Sequence, residues 1–102
     1  MSELVRVCAE SQLPGAGKVA EFVVDGRAVC VANLNGSIAV LDGVCPHEGG
    51  PLGEGTIEDG CVVCPWHSYS FDLRTGVSPQ DDTLKAEVLQ SVVENGELRL
   101  KL

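Results

Sequence analysis

The chain has 102 residues, of which 44% are hydrophobic and 22% charged, enough for one domain with a modest core and too few for a multi-domain enzyme. Fifteen acidic residues against seven basic ones give a formal net charge of −8, the wrong sign for holding phosphate backbones. Arg6, Lys18, Arg27, Arg74, Lys85, Arg99 and Lys101 fall singly along the sequence, so neither nucleic acid nor an anionic membrane surface is expected as a partner.

Residues 1–10 lack a basic stretch followed by a long apolar one, and the longest apolar run, residues 28–32, is far too short to span a bilayer; a cytoplasmic location is expected. In chain order, the pattern predicts a strand over 5–8 and one helical turn over 10–13, stopped by Pro14-Gly15. A meander over 19–24, 28–34 and 37–41 follows, its strands separated by Asp25-Gly26 and Asn35-Gly36, pairs suited to tight hairpin turns. Residues 43–55 break the rhythm as a compact loop rich in glycine and proline. Strands are then predicted at 55–57, 61–63 and 68–73, with Asp59-Gly60 turning between the first two, and at 85–93 and 97–102 around Asn95-Gly96. Ile38 and Val40 share one face, as do Leu98, Leu100 and Leu102, leaving Arg99 and Lys101 to solvent. The fold class is all-β and antiparallel, with 1–102 as a single domain.

Five cysteines, at 8, 30, 45, 61 and 64, are an odd number without the spacing of a disulfide framework. Cys8 and Cys30 lie in apolar strand stretches and are expected in the core, and Cys61 is expected there too unless it lines a metal pocket. Cys45-Pro46-His47 and Cys64-Pro65-Trp66-His67 place one cysteine and one histidine on each of two proline-stiffened loops, and these are the chain's two histidines. In a Rieske [2Fe–2S] centre two cysteines hold one iron and two histidines the other, so each loop must deliver one ligand of each type.

From Cys45 to Gly76 the chain resembles the cluster-binding region of Rieske-type ferredoxins, the ferredoxin components of ring-hydroxylating dioxygenase systems. Cys-Pro-His-Glu-Gly-Gly-Pro-Leu-Gly and Cys-Pro-Trp-His-Ser-Tyr-Ser-Phe-Asp-Leu-Arg-Thr-Gly match the two family loops. The resemblance implies a small antiparallel β sandwich or barrel carrying an inserted cluster-binding tip, here about 43–80, and one [2Fe–2S] cluster. By the same carry-over Cys45 and Cys64 hold the inner iron and His47 and His67 the outer one, with Gly76-Val-Ser-Pro79 as a third loop screening the cluster. It further implies a one-electron carrier, not itself an enzyme, passing electrons from an NAD(P)H-dependent flavin reductase to a terminal oxygenase; a monomer is expected. High-potential members of the cytochrome bc type carry a cysteine in each loop, forming a disulfide, and a serine and a tyrosine that hydrogen-bond to cluster sulfurs. This chain has Gly50, Trp66, Tyr69 and Phe71 at those places, which implies a potential near the bottom of the Rieske range.

Other readings stay open at this point. Cys61 and Cys64 form a C-x2-C that, with a histidine, would suit zinc in an interaction domain, although zinc pairs ordinarily keep cysteines and histidines apart. A redox dithiol lacks the βαβ setting, and Pro65 occupies the place a c-type haem motif gives to histidine. The small subunit of assimilatory nitrite reductase is similar in fold and first loop, but many such subunits lack the cluster ligands. A Rieske oxygenase needs a second iron and more histidines than the two present. Trp66 suits either docking or closure of its loop, Glu48, Glu54, Glu58 and Asp59 either an acidic collar or a solvated surface, and Asp72 and Arg74 a turn behind His67.

Overall fold

Four Asx-Gly pairs turn the chain. Asp25-Gly26, Asn35-Gly36, Asp59-Gly60 and Asn95-Gly96 take positive φ at both residues, from 50° to 104°, the geometry that continues the twist of the flanking strands through a two-residue turn. The computed structural model describes residues 4–46, 49–66 and 69–101. Its strands are β1 (Leu4–Ala9), β2 (Val19–Val24), β3 (Arg27–Leu34), β4 (Ser37–Asp42), β5 (Thr56–Glu58), β6 (Cys61–Val63), β7 (Ser70–Asp72), β8 (Val88–Glu94) and β9 (Glu97–Lys101), with 3-10 turns at Glu10–Gln12 and Leu52–Glu54.

Six strands pair in the order β1-β9-β8-β4-β3-β2, and β5-β6-β7 form a second, small sheet. All of these pairings are antiparallel. β8 changes partner along its length: Val88 and Leu89 pair with β4, whereas Gln90 to Glu94 pair with β9. The large sheet curls into a near-barrel around Cys8, Val24, Val29, Val31, Val40, Leu89, Leu98 and Leu100. Ile38 packs on this core beside Val40, and Lys101 is exposed, as the alternation predicts. Leu102 lies outside the described residues.

β3 is buried on both faces. Val29 and Val31 point into the barrel, while Cys30 and Ala32 join Leu41 of β4 in a second core with Cys45, Leu52, Val62, Cys64, Phe71, Leu73 and Ala86. A strand covered on both sides needs an unbroken apolar run, and Ala28 to Ala32 supplies it. Cys8 and Cys30 are therefore core residues. Burial, with Glu21 opposite on β2 adding to it, pushes the Cys30 thiol up to about 12, so it stays protonated.

Charged pairs close the strand ends. Glu97 accepts from Arg6 across the β1–β9 ladder and from Arg99 at 2.9 Å. Arg27 reaches Glu87 at 2.8 Å and Asp42 at 3.3 Å, tying β3 and β4 to the chain entering β8. Several strand bounds differ from expectation by a residue or more, and in three strands the cause is visible. The 85–93 strand begins at Val88, because Lys85 bridges Val77 and the Ala86 amide donates to the Gly76 carbonyl, drawing that stretch toward a loop. The 68–73 strand is Ser70–Asp72, with Leu73 donating its amide back to the Gly60 carbonyl. The 55–57 strand is shifted to Thr56–Glu58, since Gly55 closes the preceding 3-10 turn. Among the described residues no helix is long and apolar enough to cross a membrane.

Candidate metal centre

The first loop leaves β4 against the backbone of β3. Gly43 donates to the Ala28 carbonyl at 3.0 Å, and a Cβ at Gly43 would stand 2.8 Å from the Ala28 carbonyl carbon, so a side chain would push the loop off the barrel. Asp42 Oδ1 accepts the Val44 amide at 3.2 Å. Beyond it the Cys45 amide donates to the Gly50 carbonyl at 2.8 Å and the Gly49 amide to the Cys45 carbonyl at 2.7 Å, closing the chain on itself. The second loop follows β6, where the Cys64 amide donates to the Tyr69 carbonyl at 2.7 Å. Each cysteine thus stands at the base of a backbone-closed loop.

Cys45 and Cys64 are 2% and 1% exposed and share one apolar core. The two loops meet at Gly50: a Cβ there would lie 2.8 Å from Cys64 Sγ and 3.0 Å from Cγ and Cδ2 of the Trp66 ring. Trp66 is itself half exposed. It covers Gly50 and does not sink into the core, so loop closure and exposure coexist in this residue. Gly50 and Trp66, where high-potential relatives carry a disulfide, are also adjacent in space. His47 and His67 lie outside the described residues, as does Glu48; sequence order alone puts one histidine within each closed loop. The donor set fits the group that the motif implies: two buried thiols at the bases of two touching loops, with one imidazole per loop.

The third loop packs against β7, where the Val77 carbonyl accepts the Asp72 amide. Asp72 Oδ1 accepts the amides of Arg74 at 2.7 Å and Thr75 at 3.3 Å, the turn expected behind the second loop. Gly76 has φ of 80°, and a Cβ on it would meet the Ala86 carbonyl oxygen at 1.9 Å. Ser78 is fully buried, while Pro79 is exposed. Glu54, Glu58 and Asp59 are all exposed.

Cys61 is not a core residue. On the three-residue β6, Val62 takes the core side, and Cys61 and Val63 face a groove of about 510 Å³ lined also by Glu58, Asp59, Ser70 and Gln80. Burial first, then Asp72 and Asp59, push its thiol up. Cys61 and Cys64 therefore belong to different surroundings, a groove and a core, which is poor geometry for a C-x2-C acting as one chelate or dithiol. Gln80, which lines the same groove, was given no part by sequence reasoning; it bonds Ser78 two residues before it and Ser70 on β7, and the second contact is made only by the fold.

A curled antiparallel barrel whose inserted tip joins two cysteine-bearing loops defines a class of small β proteins with a metal-binding tip. The chain belongs to the Rieske [2Fe-2S] domain family, which matches residues 3–92, and its cofactor is accordingly a [2Fe–2S] cluster of the Rieske type. A human Rieske domain-containing protein is 40% identical over 73 residues, covering 62% of this chain and 46% of that protein. The chain thus spans about half the length of that relative. The 3-phenylpropionate/cinnamic acid dioxygenase ferredoxin subunit of Photorhabdus laumondii is 34% identical over 103 residues, covering 96% of this chain and 92% of the subunit. Among solved structures, the ferredoxin of carbazole 1,9a-dioxygenase from Nocardioides aromaticivorans superposes with a TM-score of 0.86 at 29% identity over 96% of both chains. A nitrite reductase small subunit from Mycobacterium tuberculosis reaches a TM-score of 0.88 at 21% identity, over 100% of this chain and 96% of its own, a likeness of fold alone.

Proposed function

We propose that Cys45, His47, Cys64 and His67 hold the cluster, with the thiolates on the inner iron and the imidazoles on the outer one, and that the chain carries single electrons to a protein partner. The observation that carries this reading is the pair of buried thiols at the bases of two loops in contact. A Rieske [2Fe–2S] cluster with every protein ligand in place takes up and returns one electron and offers no open position to a substrate. The protein's own residues do the rest. The 43–80 tip of the single 102-residue domain shields the thiols from water, Gly50 lets the loops close, and Trp66 roofs the junction. The reductase-to-oxygenase path, from an NAD(P)H-dependent flavin enzyme to a terminal oxygenase, is supported by the ferredoxin subunits of dioxygenase systems among its relatives. A net charge of −8 suits basic partner surfaces.

The nitrite reductase subunit is the second reading, compatible with the shared fold; the presence of all four ligand residues in sequence weighs toward the carrier. Iron and sulfide analysis with visible spectra, before and after dithionite, tests the assignment. The parent should be coloured and bleach, whereas a zinc protein is colourless. Alanine at any one of Cys45, His47, Cys64 or His67 should abolish the spectrum, because loops rich in glycine have little apolar surface to organise them without metal. A folded Cys64→Ala protein with its full iron content would overturn the ligand set.

A further inference from the structure

β7 is an edge strand, since β6 pairs with it on one side and, among the described residues, no strand lies on the other. An edge strand leaves backbone amides that must find partners elsewhere. The Asp72 amide finds the Val77 carbonyl at 2.9 Å. The Ser70 amide is met by a side chain: Gln80 Oε1 accepts it at 3.1 Å. The same oxygen accepts the Ser70 hydroxyl at 3.0 Å and the Ser78 hydroxyl at 3.0 Å. Ser70 and Ser78, at 8% and 0% exposure, are the buried polar residues among the described ones. One amide oxygen on an otherwise exposed residue therefore satisfies both, standing in for a neighbouring strand's carbonyl.

This clamp lies where the second ligand loop re-enters the sheet. Val63 pairs with Ser70, and the Cys64 amide donates to Tyr69, so the chain between Cys64 and Ser70 is held at both ends. The far end is fixed to the third loop through Gln80 alone among the described side chains bonded to Ser70. We propose that Gln80 is a positioning residue for the second ligand loop, its Oε1 setting the anchor from which the segment bearing His67 is suspended, and so setting the geometry and retention of the metal. The inference rests on the ligand reading above.

Gln80→Met keeps the length and removes the acceptor, leaving three donors without it. Gln80→Glu restores an acceptor for all three. Gln90→Met, an exposed position on β8 in the other half of the molecule, is the control. Iron release from the reduced protein to a ferrous chelator should quicken about tenfold in Gln80→Met, the factor expected for loss of hydrogen bonds worth about 1.4 kcal/mol. The electron paramagnetic resonance g-values of the reduced protein should shift in the same variant. Gln80→Glu should lie close to the parent in both, and Gln90→Met should match it. A Gln80→Met protein that melts earlier yet keeps the parent's release rate and g-values would make Gln80 a merely structural residue and sink the proposal, as would a Gln80→Glu variant no better than Gln80→Met. Should Gln80→Met fail to fold, Ser78→Ala removes one donor and should give a smaller change of the same sign; no change would refute the clamp. A parent that binds no cluster overturns the ligand reading instead, so the two failures are told apart.

Discussion

Gly50 is the position at which one added carbon matters most. Its Cβ would stand 2.8 Å from Cys64 Sγ, with the Trp66 ring at 3.0 Å behind it, so neither neighbour can give without opening the loops. Overpacking of this kind costs about 1–3 kcal/mol, and here it acts on a sulfur proposed to hold the inner iron. Gly50→Ala should purify with less than half of the parent's iron, as roughly estimated from that cost. Gly49, with φ of 78° and nothing within 4 Å of its Cβ position, is the contrast: Gly49→Ala should keep its iron and lose about 1 kcal/mol to backbone strain. Iron per chain and thermal melts check both. Phe71 and Tyr69 bear on the potential. Phe71 is fully buried in the core that holds both thiols, and Tyr69 packs against that core. A phenylalanine offers no hydroxyl to stabilise the more negative reduced cluster, so film voltammetry at pH 7 should give a midpoint near about −150 mV. A value above about +100 mV would contradict this, and Tyr69→Ser with Phe71→Tyr should move the midpoint upward.

At the scale of the elements, β1 depends on one carboxylate for its charged attachment to β9. Hydrogen bonds from Arg99 first and Arg6 second hold the Glu97 carboxyl below the usual range. A carboxyl whose pKa is lower folded than unfolded stabilises the fold above its unfolded pKa and loses that contribution as pH falls through the folded one. The stability gap between parent and Glu97→Gln should therefore be open at pH 7 and close below about pH 4.5, a window set by the ordinary carboxylate value. Urea titrations at pH 7 and pH 3 measure it. The strands either side of Asx-Gly pairs were legible in the sequence because positive φ at two consecutive residues suits few other pairs. The start of β8 was not, since Lys85 and Ala86 read as strand but are captured by Val77 and Gly76 from a distant segment. The thiol positions at 45 and 64 were legible from motif spacing. The side taken by Cys61 was not, because Cys-Val-Val has no polar member to mark the outward face.

The whole molecule has two cores and one shared wall. The barrel core draws on β1, β2, β3, β4, β8 and β9 and, among the described residues, contains none of the two cysteine-bearing loops. Removing the iron should therefore leave the barrel folded while the loops open. In hydrogen exchange on iron-free protein, amides of the β2–β3 and β8–β9 ladders should stay protected, and those of Cys45 and Cys64 should lose protection on the order of a hundredfold. Equal loss in both regions would show that barrel and tip unfold as one unit. The doubly buried β3 also limits how such a tip can be moved between proteins. Cys30, Ala32 and Leu41 are barrel residues by connection and tip residues by contact, so a transplant of 43–80 onto another barrel would arrive without its floor. A recipient scaffold would need two adjacent antiparallel strands presenting a small, a small and a large apolar side chain in the same places. It would also need a backbone close enough to receive a glycine at the first step out. Engineers exchanging electron-transfer tips between barrels should treat those three outward-facing positions as part of the insert.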